Sequence, residues 1–300
     1  MNRPSYVVVT PARDEAENIT HTIESMAAQT WQPLLWVIVD DGSTDSTAQI
    51  IDAAAKEHPW IRALHRSDRG ARRQGAGVVE TFYDGYEKIQ LEPWDFLVKF
   101  DADLSFATDF FERCIGEFGR NAKLGIGGGL ICQERNGRLE CESPGDPAFH
   151  VRGATKIYRR ACWEDIGGLL CAPGWDTVDE LKANMLGWET CSFKDIPLRH
   201  HRFTGSADGV WKNYVKFGMA NYITGYHPLF MALKCLKRLL EPPYLLGGFG
   251  LAWGFVKGSV TGVPRVRDGE FIRYVRRQQI NRLCGRPSLW DRTTGQLCQQ

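Results

Sequence analysis

Short apolar runs alternate with helical patterns through the first hundred residues, and this alternation limits the possible folds more than any other feature. Segments 17–29, 45–57 and 77–90 carry apolar residues at helical spacing. The runs between and around them are YVVVT (6–10), LLWVIV (34–39), IRALH (61–65) and DFLVKF (95–100). Strands separated by helices predict an α/β domain with a mostly parallel, Rossmann-like central sheet and helices on both faces.

Polar clusters follow each of the four apolar runs. In a parallel α/β sheet, ligands bind beyond the carboxyl ends of the strands. We therefore expect these clusters to converge on one crevice; they are TPARDE, DDGSTD, DRGARRQG and DAD.

Asp101 and Asp103 end the fourth run with one small residue between them. In an extended chain residues i and i+2 point to the same side, so both carboxylates should face the crevice and repel each other when no ligand is bound. Two carboxylates at such a position suit Mg²⁺ or Mn²⁺, which complete their shells with substrate phosphate. An acidic surface turn is the alternative, but the preceding apolar strand favours a metal site.

The segment VVDDGSTD (38–45) follows the second run. Gly42 permits a tight turn, and Ser43 or Asp45 can cap the next helix. The carboxylate of Asp41 can accept hydrogen bonds from a uracil N3–H or from ribose hydroxyls. A strand, turn and cap without any ligand is the alternative interpretation.

The motifs together resemble family 2 glycosyltransferases with the GT-A fold over roughly residues 5–205. Five segments carry the resemblance in the same order, namely VVVTPARDEAENI, VIVDDGSTDST, RGARRQGAG, VKFDADLSF and RGATKIYRRACWEDIGG. The resemblance implies an inverting hexosyltransferase that needs Mn²⁺ or Mg²⁺ and uses a nucleotide-diphosphate sugar, a UDP-sugar as first choice and a GDP-sugar as second. The family more often has Asn at the position of Asp14.

The resemblance also implies roles for individual residues. Asp41 would contact uracil or ribose, and Asp101 and Asp103 would hold ribose and metal. The base and ribose would be bordered by Pro11, Ala12, Asp14 and Glu15, and the pyrophosphate by the segment 70–73 with Gly70, Arg72 and Arg73.

An inverting transfer needs a general base for the acceptor hydroxyl. The stretch GWDTVDELKANMLGW (174–188) resembles the segment of the family that supplies it. The resemblance implies Asp176 as the base, with Trp175 where the family usually has Glu, and Asp179 and then Glu180 as alternatives. A helix cap is the other interpretation of Asp176.

The segment PLRHHRFTG (197–205) offers further ligands. A histidine at this place in relatives can be a metal ligand, which implies His201 or, as the alternative, His200; a plain surface or core histidine is the other interpretation. Planar guanidinium groups suit phosphate oxygens. Contacts to the diphosphate are therefore predicted for Arg199 and Arg202, and Trp175 is a further candidate for contact with the diphosphate or the acceptor. Arg159 and Arg160 are either phosphate contacts or solvated.

The C-terminal part differs in composition. We predict a catalytic domain over 1–205, with a nucleotide-sugar half at about 1–105 and an acceptor half at about 106–205, and a helical region over 206–300. Residues 242–256 carry no charge but are fewer than the roughly 20 that span a bilayer. They favour an interfacial segment or a buried hairpin, and the basic residues around them suit membrane contact through about 229–262.

Composition narrows the remaining choices. The net charge of +1 argues against a nucleic-acid partner. Without a signal-like start or CxxC pairs, we expect a cytoplasmic protein, peripheral on the inner face of the membrane. The expected acceptor is a hydroxyl of a glycan or a lipid-linked sugar in surface polysaccharide or glycolipid synthesis. The alternatives are an inactive nucleotide-sugar-binding or partner-binding homologue and a nucleotidyltransferase, although the latter usually has a glycine-rich loop where TPARDE has none.

Overall fold

The computed structural model of the chain describes residues 3–68, 70, 76–202 and 209–291. The strands are β1 (Tyr6–Ala12), β2 (Leu35–Asp40), β3 (Ile61–His65), β4 (Phe96–Phe100), β5 (Leu104–Phe106), β6 (Leu124–Arg135), β7 (Arg138–Cys141), β8 (Thr155–Arg159) and β9 (Glu189–His200). The helices are α1 (Ile19–Ala27), α2 (Thr47–Glu57), α3 (Ala76–Tyr86), α4 (Phe110–Arg120), α5 (Arg160–Ile166), α6 (Trp175–Met185), α7 (Val210–Ile223), α8 (Pro228–Leu239), α9 (Leu246–Val260) and α10 (Gly269–Leu283), followed by a 3₁₀ turn (Leu289–Asp291).

All nine strands form one sheet in the order β3-β2-β1-β4-β8-β6-β9-β5, with β7 paired to β6. The first four strands are parallel to one another. This confirms the predicted α/β fold. The second half of the sheet is mixed, since β8 runs antiparallel to β4 and β6 whereas β6 and β9 are parallel.

The parallel strands are buried on both faces, which explains their continuous apolar sequences. In β1, Tyr6 and Val8 pack into one core cluster, whereas Val7 and Val9 pack into the other. Successive side chains of a strand point to opposite faces. Each of these strands therefore needs an apolar residue at nearly every position.

The second half of the sheet brings distant residues to the carboxyl end of β4. The register of β8 sets Lys156 opposite Lys99 and Thr155 opposite Phe100. Strand β9 ends with His200 paired to Leu104 of β5, directly after the two aspartates. The site is therefore assembled from both halves of the sheet.

The chain beyond the sheet is helical in its described part. No helix among the described residues combines the length and hydropathy needed to cross a bilayer. The uncharged run forms most of α9, which buries one face and exposes the other. One face of the run is therefore buried, and contact of its exposed face with a membrane stays a prediction. The predicted domain boundary at residue 205 lies outside the described residues and stays a prediction. Among the described residues, seven cysteines are free thiols.

Candidate active site

The loops that follow β1, β2 and β3 meet at one edge of the sheet. The amide of Asp41 donates to the carbonyl of Ala12 at 2.8 Å. Arg13 donates to the Asp41 carbonyl at 2.7 Å and to the Asp68 carboxylate at 2.8 Å. Gly42 has a φ of 72°, and a Cβ atom there would lie 2.5 Å from the Asp68 backbone. The loops after β1 and β2 and the first residue of the cluster DRGARRQG thus lie together as predicted, while most of that cluster lies outside the described residues.

The predicted nucleotide-binding residues lie in or beside these loops. The Asp41 carboxylate accepts a hydrogen bond from Arg66 at 3.1 Å. Asp14 has a φ of 52°, and its carboxylate accepts from the Thr44 amide at 2.8 Å, which ties the first loop to the second. Pro11 and Ala12 end β1, and the amide of Gly70 donates to Asp68. Arg72 and Arg73 lie outside the described residues.

Arg202 links the end of β9 to the loop after β1. Its guanidinium donates to the buried Glu15 carboxylate at 2.7 Å and to the carbonyl of Asp14 at 3.2 Å. Glu15 is in turn held by its amide, which donates to the Thr47 hydroxyl. Arg202 therefore lies beside the predicted nucleoside pocket, where its charge is compensated by Glu15.

Asp101 and Asp103 each have a cationic partner of their own. The ammonium of Lys99, a nearly completely buried residue next to the end of β4, donates to Asp101. Asp103 pairs with His200 at 3.2 Å. The expectation that the two carboxylates repel each other without a ligand was therefore wrong, because it left out Lys99 and the histidine that β9 delivers.

His200 lies between two buried carboxylates. Its Nε2 atom is 3.2 Å from Asp103, and its Nδ1 atom is 2.7 Å from Glu142. Burial lowers the pKa of His200, but the hydrogen bonds to the two carboxylates raise it to about 10. Burial raises the pKa of Asp103, but the hydrogen bond and charge of His200, with Arg202 and Lys99 nearby, hold it below its usual value.

The residues on either side of His200, Arg199 and His201, make other contacts. His201 contacts the Ser105 hydroxyl and stacks on His21 with ring centroids 4.4 Å apart. Arg199 pairs with Glu134 of β6 at 2.6 Å, and both side chains are largely exposed. Adjacent residues in extended chain face opposite ways, so only one of the two histidines can face Asp103. We therefore reverse the predicted order and take His200 as the candidate ligand.

Asp176 lies in the first turn of α6, close to the loop that carries Asp101. A Cβ atom on Gly153 would lie 3.4 Å from the Cβ of Asp176. One residue further on, the Ala154 carbonyl accepts from the amide of Asp101 at 3.0 Å. Asp176 is half-buried and stands at a helix N-terminus, where a carboxylate is favoured by the helix dipole.

Trp175 packs against two lysines that face each other across β4 and β8. Its ring centroid is 5.5 Å from the ammonium of Lys99 and 5.5 Å from that of Lys156. Trp175 is itself buried. The Trp side chain that replaces the usual Glu of the resembled family is therefore a packing partner of both cations.

The two alternative bases, Asp179 and Glu180, lie on the buried face of α6 in a closed ion network. Lys156 donates to Asp179 at 2.8 and 2.9 Å and lies 2.9 Å from Glu180, and all three side chains are fully buried. Lys156 also donates to the backbone carbonyl of Asp176 at 2.5 Å. Burial raises the pKa of Asp179 to about 6, although Lys156 opposes the shift. An acceptor cannot reach a fully buried carboxylate, so Asp176 is favoured among the three candidates.

His150 completes this network from the other side. Its Nδ1 atom is 2.9 Å from Glu180, which also accepts from the amide of Val151 at 2.7 Å. Burial opposes protonation of His150, but Glu180 and more distant carboxylates raise its pKa to about 9. The buried Glu180 is thus shared by an ammonium, an imidazolium and a backbone amide.

We expect His150→Gln to weaken the fold in a pH-dependent way. A raised histidine pKa contributes stability that is complete below about pH 6.5 and is lost as the pH rises through about 9. The variant should lose about 2 kcal/mol of unfolding free energy at pH 6 and much less at pH 10. Urea unfolding across this pH range measures the loss. His58→Gln is the control, because the ring of His58 contacts the uncharged ring of Trp60. A pH-independent difference would contradict the assignment.

Sequence reasoning missed Lys99 of β4. It also missed three residues from the segments that form the second half of the sheet, namely Glu142, His150 and Lys156. A lysine inside an otherwise apolar strand was the available signal for Lys99 and Lys156; nothing local marks Glu142 or His150. Arg159 and Arg160 lie at the opposite edge of the sheet, because Arg159 pairs with Phe96 at the start of β4. There Arg159 donates to backbone carbonyls and Arg160 stacks on Trp94. The suggestion that they contact phosphate was therefore wrong.

The residues around Asp103 suit a divalent cation only in part. Among the described residues no three His, Cys, Asp or Glu side chains are grouped to hold a metal ion. Asp103 and His200 nevertheless present an oxygen and a nitrogen 3.2 Å apart, and an ion bound there would displace the proton that lies between them. Glu142 lies on the far side of the imidazole, the usual arrangement behind a metal-bound histidine. Two protein ligands with substrate phosphate fit the habits of Mg²⁺ and Mn²⁺.

Comparison with known proteins identifies what this arrangement resembles. Residues 7–140 match the family model described as Glycosyl transferase family 2. The "Uncharacterized glycosyltransferase YibD" of Escherichia coli (strain K12) is 28% identical over 121 residues, covering 37% of this chain and 35% of that protein. The matched regions span about a third or less of the length of the curated relatives.

Solved structures share the fold over nearly the whole chain. The mannosyltransferase PcManGT from Pyrobaculum calidifontis, in complex with GDP-Man and Mn²⁺, has a TM-score of 0.55 and 18% identity, with 88% of this chain and 77% of that chain covered. Residues 1–349 of S. aureus TarS, in complex with UDP-GlcNAc, have a TM-score of 0.55 and 16% identity, covering 93% and 83%. These similarities show the GT-A glycosyltransferase fold.

Proposed function

We propose that this chain transfers a sugar from a nucleotide-diphosphate donor to an acceptor hydroxyl, with inversion. The match of residues 7–140 to the glycosyl transferase family 2 model supports the proposal. One observation carries the proposal. Asp41, Asp103 and Asp176 stand on one connected edge of the sheet, joined through Arg202 and through the contact of Asp101 with Ala154. In the proposal, the loops after β1 and β2 bind the nucleoside at one end of this edge, and Asp176 acts as the general base at the other end.

The loops after β1 and β2 form the nucleoside end. The carboxylate of Asp41 is positioned by Arg66, and Asp14 is held by the Thr44 amide. Carboxylates accept hydrogen bonds from ribose hydroxyls and from the N–H of a uracil or guanine base. We take a UDP-sugar as the first candidate and a GDP-sugar as the second, and solved relatives of the same fold bind one of each.

Asp103 and His200 would hold a Mn²⁺ or Mg²⁺ ion, with Asp101 beside them. When bound, the ion supplies positive charge to the departing diphosphate. Glu142 accepts the remaining N–H of His200, which fixes the ring with Nε2 toward Asp103. Lys99 neutralises Asp101, so the protein itself limits the negative charge at the end of β4.

Asp176 is the proposed general base. Its carboxylate takes the proton of the acceptor hydroxyl as that oxygen attacks the anomeric carbon. The backbone of Asp176 is anchored by Lys156, and the wall behind it is the buried Trp175. A base on a rigid helix start is held in place for the reaction.

The proposed acceptor is a hydroxyl of a glycan or of a lipid-linked sugar. The proposal includes a cytoplasmic location, peripheral on the inner face of the membrane, and a role in surface polysaccharide or glycolipid synthesis. The basic and apolar composition of 229–262 supports this location.

We expect UDP or GDP with Mn²⁺ to raise the melting temperature, and Asp103→Asn to abolish the Mn²⁺-dependent part of the shift. A ligand present at 100 times its Kd stabilises the folded state by about 2.7 kcal/mol. A thermal-shift panel of UDP, GDP, CDP and dTDP, each with and without Mn²⁺, measures the effect.

Asp195→Asn is the matched control, because Asp195 is an exposed aspartate on β9. This variant should show the same Mn²⁺-dependent shift in melting temperature as the unaltered protein. Absence of any shift with every nucleotide, on folded protein, would overturn the proposed donor site. If the Mn²⁺-dependent shift persists in Asp103→Asn, Asp103 is not a metal ligand.

A further inference from the structure

The last helices of the chain leave a broad apolar surface exposed. Helix α9 packs closely against α7, since Cβ atoms on Gly218 and Gly254 would lie 2.1 and 2.0 Å from backbone carbonyls of the facing helix. Its N-terminal part meets α8, where a Cβ atom on Gly248 would lie 2.5 Å from the Leu239 side chain. The glycines of α9 thus face its neighbours, and its large apolar residues are left on the other side.

These exposed residues recur at helical spacing. On α9 they are at least half exposed and follow each other at intervals of three or four, namely Leu246, Phe249, Trp253, Val256 and Val260. On α8 and its C-cap residue the intervals are the same and the exposed fractions run from 43% to 79%, for Leu229, Leu233, Leu236 and Leu240. Such spacing places each set on a single face of its helix.

Further apolar residues are exposed on α7 and in the turn between α8 and α9. Tyr244 and Leu245, in the turn between α8 and α9, are more than half exposed, and Trp211 and Phe217 are exposed on α7. Monomeric soluble proteins rarely expose continuous apolar patches of this kind. Trp and Tyr are enriched where protein meets the headgroup region of a bilayer.

The charge of this region favours an anionic lipid surface as its binding partner. Residues 209–267 contain eight Lys or Arg and one acidic residue, Glu241, whereas the whole chain has a net charge of only +1. The basic residues are Lys212, Lys216, Lys234, Lys237, Arg238, Lys257, Arg265 and Arg267. A second copy of the chain would bring like charges together, while anionic lipid headgroups attract them.

We propose that α7, α8 and α9 form a membrane-docking surface that inserts its exposed apolar stripes into the headgroup region of an anionic bilayer. The helices lie in the interface, as apolar stripes flanked by Lys and Arg do in peripheral proteins. This deepens the peripheral location proposed above. Its physical basis is independent of the transfer chemistry, and a docked chain would meet a lipid-linked acceptor at the membrane.

Vesicle co-sedimentation of the full-length protein tests the proposal. We expect binding to phosphatidylcholine vesicles that contain phosphatidylglycerol, much weaker binding to phosphatidylcholine alone, and loss of affinity as salt is added. The double variant Phe249→Ser with Trp253→Ser should bind at least about tenfold more weakly. The control pair Leu91→Ser with Leu139→Ser changes residues exposed elsewhere and should bind as the unaltered protein does.

Two results would overturn the proposal. One is a folded, monomeric protein that does not bind anionic vesicles. The other is a dimer, seen by analytical ultracentrifugation, that the Phe249 and Trp253 changes dissociate while vesicle binding is absent. The nucleotide thermal shift measured on the same samples reports on the donor site, so failure of docking and failure of the proposed function are distinguished.

Discussion

Replacing Asp176 with Asn is expected to lower kcat by about 10²- to 10⁴-fold while leaving donor binding intact. A positioned general base contributes this much to a proton transfer. The substitution keeps the size of the side chain and removes only its basicity. The backbone contacts that hold Asp176, from Lys156 below and the helix start around it, are unaffected by the change. Initial rates with saturating donor, together with the nucleotide thermal shift, separate chemistry from binding.

Variants of the other two candidate bases, Asp179 and Glu180, are compared with Asp176→Asn in melting temperature. Asp179→Asn and Glu180→Gln each remove a carboxylate that compensates Lys156, so we expect them to lower the melting temperature markedly. Asp176→Asn should leave it nearly unchanged. If Asp176→Asn retains full activity, the base has been misassigned. If the unaltered protein binds donor and shows no transfer or donor hydrolysis, the chain is an inactive nucleotide-sugar-binding homologue instead.

The parallel half of the site could be predicted from the sequence because it depends on local order. Short apolar strands followed by polar loops place Asp41, Asp101 and Asp103 at one edge of a parallel sheet whatever the details of packing. The convergence of the loops around Arg13 and Asp68 follows from the same rule. Here the order of the chain and the geometry of βαβ units are sufficient.

The remaining half depends on pairings between distant segments. His200 rather than His201 reaches Asp103 because β9 pairs with β5 in one register, and a shift of one residue would exchange them. Lys156 meets Lys99 and Trp175 only through the antiparallel register of β8 with β4. No local pattern contains such a register. Sequence reasoning therefore identified Asp101 and Asp103 as candidates but missed Lys99 and Lys156, whose roles depend on these pairings.

Lys156→Met is expected to destabilise the fold by about 3–5 kcal/mol, the largest stability effect that the structure predicts. Lys156 is the common partner of Asp179 and Glu180, and none of the three side chains is exposed. Removing one member of a buried ion network leaves uncompensated charge in a region of low dielectric. Met fills a similar volume, so the loss reports on charge. Urea unfolding at pH 8 measures it.

The penalty should shrink in acid, because the carboxylates left behind can then bind protons. Asp179 already has a pKa of about 6 with Lys156 present, and without that cation protonation is easier still. We therefore expect a smaller loss at pH 5 than at pH 8. Arg160→Met is the control, since its pair with Glu164 is exposed and contributes less than about 1 kcal/mol. A loss equal to that of the control would mean that Asp179 and Glu180 are neutralised without Lys156, and the buried network would not be what anchors Asp176.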